Sequence, residues 1–172
     1  MSKVCPVCKE KGNRQVAVPP YGPKDSPILI AGEFPGKDEL EWGRPFAGGT
    51  GKVLTEELAL QGIDIRSCRL SNIWIHPPNG DEDCYNLGLS ILLRESQNRK
   101  GILFLGSDTA KTFSKYKVSE IAGLRMEDDC LLVSANVIVF SQNPAVVFKR
   151  GGVVGEIRFA LGQFAKAMEQ YT

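Results

Sequence analysis

The sequence predicts an α/β fold, a parallel sheet with helices covering both faces. Two short apolar runs, Pro27-Ile-Leu-Ile-Ala31 and Gly101-Ile-Leu-Phe-Leu105, contain no polar residue, as strands buried on both faces require. Stretches with apolar residues at helical spacing alternate with the strand-like ones, the order that builds crossovers between parallel strands. A length of 172 residues, with 42% apolar and 24% charged, suits one domain with a real core.

In chain order, residues 9–26 are polar and rich in Gly and Pro, and read as an irregular arm leading into the domain. The strand Pro27–Ala31 stops at Gly32, and a long Gly/Pro-rich loop runs to Thr50. Residues Gly51–Gln61 carry Val53, Leu54, Leu58 and Leu60 near helical spacing, with Gly62 placed as the terminating glycine. Arg69–Ile75 reads as a second buried strand through Leu70, Ile73 and Ile75. The loop His76–Asp83 leads to a helix from about Cys84 to Ser96, marked by Leu87, Ile91 and Leu92. After the third strand, Gly101–Leu105, Gly106 stops the run and Ser107 is expected to cap a short helix through Phe113. Leu131–Phe140 is expected to form a hairpin or two short strands. A polar, basic loop spans Ser141–Gly152. The last element is an amphipathic helix from about Gly155 to Gln170, with Ile157, Leu161, Phe164, Ala165 and Met168 on one face.

Lys plus Arg is 21 and Asp plus Glu is 20, a net charge of +1. That balance argues against a strongly basic, non-specific nucleic-acid binder and still allows a local basic rim. No run approaches the roughly 18–20 apolar residues that a membrane span needs. The first residues, MSKVCPVCKEKGNRQ, lack the apolar stretch of a secretory signal. The expected setting is therefore cytoplasmic and reducing, with no membrane partner. There, five cysteines (Cys5, Cys8, Cys68, Cys84 and Cys130) do not read as a disulfide framework. Cys5-Pro-Val-Cys8 is the sharp feature. Two thiolates two residues apart can grip one metal ion or cluster from a tight turn, which Lys9, Lys11 and Gly12 complete. Cys130 reads as a core thiol.

Ligands of parallel α/β sheets bind at the carboxyl ends of the strands. Three loops leave those ends, 32–50, 76–83 and 141–152, and the unusual residues fall in them. The first, GEFPGKDELEWGRPFAGGTG, has neither the Gly-Lys-Ser/Thr of a P-loop nor the glycine spacing of a dinucleotide fingerprint. It sets the carboxylates Glu33, Asp38 and Glu39 and the aromatic Phe46 near a helix N-terminus. Backbone N–H groups at Gly48, Gly49 and Gly51 are candidates to hold a phosphate there.

The run GEFPGKDELEWGRPFAGGTGKVL resembles the first motif of the uracil-DNA glycosylase superfamily, most closely its iron–sulfur branch, family 4. That motif runs Gly-Glu-x-Pro-Gly, an acidic stretch, Gly-Arg-Pro-Phe-x-Gly, then Gly and Leu. Further similarities follow in order. Ser71-Asn72 precedes a Pro-Pro loop, Leu105-Gly106 precedes a short helix, and Asn143-Pro144-Ala145 stands where the family has His-Pro-Ser/Ala, with Arg150 a few residues on. The resemblance implies a three-layer α/β/α sandwich around a mainly parallel four-stranded sheet, formed by residues 1–172 as one domain with an N-terminal metal-binding arm (about 1–26). It also implies a DNA-binding hydrolase of base excision repair, acting as a monomer, with DNA and other replication or repair proteins as partners.

A glycosylase must extrude its target base into a pocket. By the resemblance, Phe46 stacks on the base, worth about 1–3 kcal/mol. Asn72 reads uracil, since one amide can donate to O4 and accept from N3–H. Glu33 orients water and faces the sugar, with Glu39 as a second candidate. Lys149 and Arg150, with Gly49 and Gly51, meet phosphates. Phe34 stands beside the base where the family has a small residue, and narrows the pocket or displaces water. Asn143 replaces a histidine that donates to the departing base, and a neutral amide supports an anion less well. The activity is therefore expected to be weakened or altered. A catalytically inactive module that keeps the fold to bind DNA or protein is the alternative.

For the metal, the family uses four cysteines. Cys5, Cys8 and Cys84 match three, and the fourth position falls on His76, with Cys68 as its rival. Cys68 begins the strand that His76 ends, which separates them by roughly 25 Å. The expected set is Cys5, Cys8, His76 and Cys84, holding a 4Fe–4S cluster or, alternatively, zinc.

Overall fold

A computed structural model describes residues 3–126, 129–150 and 154–171, with backbone alone for Lys3 and Arg150. Its main sheet is built from β3 (Ile28–Gly32), β4 (Arg69–Asn72), β5 (Gly101–Leu105) and β6 (Val137–Ser141), in the order β4-β3-β5-β6, and every pairing is parallel. Before it, β1 (Lys3–Val4) and β2 (Val16–Ala17) pair antiparallel around α1 (Pro6–Glu10). The arm is thus less irregular than its composition suggests.

Alternate residues of each strand enter different layers, as a period of two requires. Ile28, Ile30, Leu103, Val137 and Val139 face α3 (Gly49–Leu60) and α8 (Val154–Met168), meeting Leu54, Leu58, Ile157, Leu161 and Phe164. Leu29, Ala31, Ile102, Phe104, Ile138 and Phe140 face the other layer, α4 (Glu82–Glu95), α5 (Ser107–Phe113) and α6 (Val118–Ile121). Phe104 stacks between Phe113 at 4.4 Å and Phe140 at 5.1 Å, measured between ring centroids. These two layers on one sheet make the expected α/β/α sandwich. Among the described residues, no helix is long and apolar enough to cross a membrane.

Both sheet edges are covered. Tyr21 bridges Leu70 on one side, and residues 122–126 bridge Val139 and Phe140 on the other, which removes the free edges that invite aggregation. That second cover explains why the expected hairpin over 131–140 is a single strand. The free side of β6 is already occupied by 122–126, while the Leu131 N–H turns away to the Phe113 carbonyl. Three other expectations are corrected. β4 ends at Asn72 and not Ile75, because the chain bends there towards the arm and the Val18 N–H takes the Ile75 carbonyl. The loop 32–50 contains a short helix, α2 (Lys37–Trp42). The loop 141–152 contains α7 (Val146–Arg150), while Gly151 and Gly152 lie outside the described residues.

A buried charge cluster fixes the end of the sheet opposite the site. Glu95 accepts two hydrogen bonds from Arg69, at 2.7 and 3.0 Å, and one from Arg99 at 3.4 Å. The two guanidiniums also donate to the Gly22 and Lys24 carbonyls, tying the incoming chain to α4. The Arg69 hydrogen bonds hold the Glu95 carboxyl below its ordinary range. Its stabilisation is then complete above the usual Glu pKa of about 4.3 and is lost progressively as pH falls below it. Glu95→Gln is expected to cost about 1–3 kcal/mol at pH 7 by urea denaturation, and the gap to the parent protein should narrow as pH falls below the usual carboxylate range.

Candidate active site and metal centre

The parallel register brings four strand ends to one place. Gly32 pairs with Asn72, and Leu105 pairs with Ser141, so the segments after β3, β5 and β6 emerge side by side. The chain goes from β3 to β4 on one side and then returns to β5 on the other. The β3/β5 boundary is thus the topological switch point, where open α/β sheets form a crevice. A cavity of about 430 Å³ opens there, in the range of small-ligand sites.

Asn72, Phe46, Glu33, Asn143, Glu39 and Phe34 all line this cavity. Asn72 is 7% exposed, and its side-chain amide has no hydrogen-bond partner among the described residues. Buried amides are ordinarily paired, so an open donor and acceptor in a cavity wall make Asn72 a candidate to bind a ligand. Gly32 separates Asn72 from Phe46. A Cβ there would stand 2.6 Å from Asn72 Oδ1 and 3.0 Å from Phe46 Cζ. Phe46 itself has φ of 56°, an uncommon conformation for a bulky residue. Its carbonyl presses on Gly51, where a Cβ would come within 1.7 Å of the oxygen.

Glu33 sits across the switch point. Oε1 accepts from the Asp108 N–H at 2.8 Å and from Ser107 Oγ at 3.4 Å, and Oε2 accepts from Asn143 Nδ2 at 2.8 Å. Asn143 Oδ1 accepts from the Ala145 N–H at 2.9 Å, which fixes which way its amide points. Ser107 is therefore not the expected helix cap. Gly106 occupies that position, with φ of 103°, and the Ser107 hydroxyl serves Glu33 instead. This carboxylate brace was absent from the sequence reading. Its signal was the pair Gly106-Ser107 following a buried strand.

The remaining expected residues are spread out. Glu39 is buried and accepts from the Gly48 N–H at 3.2 Å, so one of the candidate phosphate donors is already engaged. Gly49 is exposed at the start of α3, whereas Gly51 is buried under Phe46. Lys149 and Phe34 are exposed at the cavity rim. The side chain of Arg150 lies outside the described residues.

The second constellation joins the arm to the loop after β4. Cys5, Cys8, His76 and Cys84 are all buried, with ligand atoms within 4.8 Å of one another. Cys8 Sγ is 3.5 Å from both His76 Nε2 and Cys84 Sγ. Cys84 lies in the first turn of α4, whose N-terminal N–H groups are capped by Asp81. Lys11 reaches Asp81 and Asp83 at 2.8 and 2.7 Å, clamping the knuckle to that helix. Burial pushes the Cys84 thiol up to about 12 and raises Cys8 as well. Three thiols and an imidazole aimed at one point are a donor set that could hold a metal, in which a cation supplies the charge that keeps thiolates ionised. Cys68 is elsewhere. It is buried at the start of β4, with its thiol near the Asp64 carbonyl at 3.6 Å. Cys130 is half-buried against the second core layer.

A parallel α/β sandwich with a crevice at its switch point and a cysteine-rich clasp beside it defines a narrow class of protein. The family model described as "Uracil DNA glycosylase superfamily" matches residues 19–154, and the chain belongs to that superfamily. The type-4 uracil-DNA glycosylase of Pyrobaculum aerophilum is 28% identical over 174 residues, covering 94% of this chain and 88% of that protein. Those of Thermotoga maritima and Archaeoglobus fulgidus are 39% and 40% identical over 80 and 76 residues, covering 45% and 44% of this chain and 41% and 37% of theirs.

Gly106 makes the brace possible. Its backbone conformation is essentially restricted to glycine, and a Cβ would lie 2.3 Å from the Glu33 carboxyl carbon. Gly106→Ala is expected to cost about 2–4 kcal/mol in urea denaturation. Gly43→Ala, at φ of 69° with open space around it, should cost only about 1 kcal/mol. Equal losses would show that Glu33 does not depend on this close approach.

Proposed function

We propose that residues 1–172 act as a single DNA glycosylase domain that hydrolyses the N-glycosidic bond of uracil, or a related pyrimidine, extruded from DNA. The observation that carries this is the unpartnered Asn72 amide facing Phe46 across Gly32 in one cavity. A planar ring lying on Phe46 would offer its edge to Asn72. The amide N–H₂ would donate to O4 and its oxygen would accept from N3–H, a pattern that cytosine cannot match.

In the reaction, the C1′–N1 bond breaks and its electron pair leaves with the base. Water adds to C1′, one water proton goes to the base, and the hydroxyl stays on the sugar. Glu33 is held from three sides and keeps lone pairs free to orient that water, while its charge faces the cationic sugar. Asn143 positions Glu33 with one amide hydrogen and keeps the other for the leaving base. A neutral amide supports the departing anion less than an imidazole donor does, so the rate should be about 10²–10³ below that of a site with the stronger donor. Lys149, with Arg150 and Gly49 as further candidates, would meet the flanking phosphates, whereas Gly51, buried under the Phe46 carbonyl, is left as support for that turn. Glu39 holds the loop that carries Phe46 and stands as the second candidate carboxylate.

The metal centre joins the arm (about 1–26) to the segment that follows Asn72. The resemblance implies a 4Fe–4S cluster at Cys5, Cys8, His76 and Cys84, with zinc as the alternative. When bound, either group supplies a cross-link between three chain segments.

The Glu33–Asn143 hydrogen bond also supports a second reading, a fold-retaining module that binds DNA without cleaving it, because both partners are engaged with each other. Single-turnover incubation with uracil-containing single-stranded DNA tests both. Slow release of free uracil, lost in Glu33→Gln and Asn72→Ala, is the expected result. Uracil-specific binding without release selects the second reading. Absence of both binding and release contradicts the proposal.

A further inference from the structure

The spacing of the four metal-ligating atoms carries an inference independent of the glycosylase reading. In a cuboidal four-iron cluster each protein ligand is bound to its own iron, which spreads the ligand atoms to about 6 Å apart. A single tetrahedral ion with bonds of about 2.3 Å to sulfur and 2.0 Å to nitrogen draws its ligands to roughly 3.5–3.8 Å. Here all four ligand atoms lie within 4.8 Å of one another, and Cys8 Sγ stands 3.5 Å from two of them. The site fits one ion and is too small for the cube.

The surroundings favour the same occupant. His76 Nδ1 lies 2.7 Å from the Pro77 carbonyl, so the ring proton sits on Nδ1 and the Nε2 lone pair points at the thiols. This backbone anchor is the usual outer partner of a metal-bound imidazole. Asn79 Nδ2 lies 3.7 and 3.8 Å from the sulfurs of Cys8 and Cys84, placing an amide donor against two thiolates. Three thiolates and one neutral imidazole with no open position form a closed Cys₃His set, the pattern of structural zinc. Ligand softness and tetrahedral geometry both match that ion.

We propose that this centre binds one tetrahedral zinc ion through Cys5, Cys8, His76 Nε2 and Cys84, in place of the four-iron cluster implied by the resemblance. Its role is to pin the arm to the loop behind Asn72.

The test is a metal count on full-length protein, purified anaerobically from cells supplied with both iron and zinc. About one zinc per chain, little iron and no absorbance band at about 400 nm are expected. Iron near four per chain with that band overturns the proposal, as does a single bound iron or a metal-free folded protein. Cobalt(II) exchanged into the site gives a second readout on the parent fold. Intense visible ligand-field bands of a tetrahedral ion, shifted to lower energy in His76→Cys, are expected. Weak bands of an octahedral ion, or bands unchanged in His76→Cys, overturn the Cys₃His assignment. None of these readouts involves DNA, so their failure leaves the glycosylase reading to its own test.

Discussion

The register of the parallel sheet governs everything at the site. Because Gly32 is level with Asn72, and Leu105 with Ser141, the residues that follow each strand reach the same plane at the same end. A shift of one residue in any strand would exchange its core-facing side chains between the two layers. The apolar runs of β3 and β5 forbid such a slip less strictly than an alternating strand would, since both their faces are buried. The flanking contacts supply the missing restraint, with Arg69 and Arg99 anchored on Glu95 at one end and Glu33 bridging β3, β5 and β6 at the other.

Two braces then hold the cavity open. Glu33 gathers donors from the segments after β5 and β6, so the carboxylate that faces the cavity also ties three strand ends together. The cysteine–histidine centre does the corresponding job on the β4 side. His76 follows Asn72 by four residues, and Cys84 lies in the first turn of α4, so fixing the centre fixes the path of the chain as it leaves Asn72. The cavity wall is thus flanked on both sides by polar or thiol–imidazole clusters, while the two apolar layers carry the bulk of the stability.

Much of this was legible in the sequence, and the reasons differ by residue. The strands at 27–31 and 101–105 could be read because continuous burial leaves an unbroken apolar run. Cys5-Pro-Val-Cys8 pointed to a metal turn by spacing, and His76 came from the resemblance, as the residue at the family's fourth ligand position; the structure brings these residues together with Cys84. β6 was misread as a hairpin because propensity does not reveal that residues 122–126 already cover its free edge. α2 was invisible inside a loop dense with glycine and proline. The Glu33–Asn143 contact joins residues 110 positions apart and follows from the register, which no local pattern encodes. Nor did composition indicate that Phe46 adopts a positive φ, which depends on the close approach of Gly51.

On the proposed reading, Phe46 and Asn72 form the two walls of a slot for an extruded base. A crystal structure with single-stranded DNA carrying a 2′-fluorinated deoxyuridine, whose glycosidic bond resists hydrolysis, tests this. The uracil ring is expected parallel to Phe46, with O4 and N3 within hydrogen-bond reach of the Asn72 amide. A bound strand whose uracil stays outside, with the slot empty and Asn72 turned to another protein group, would contradict it.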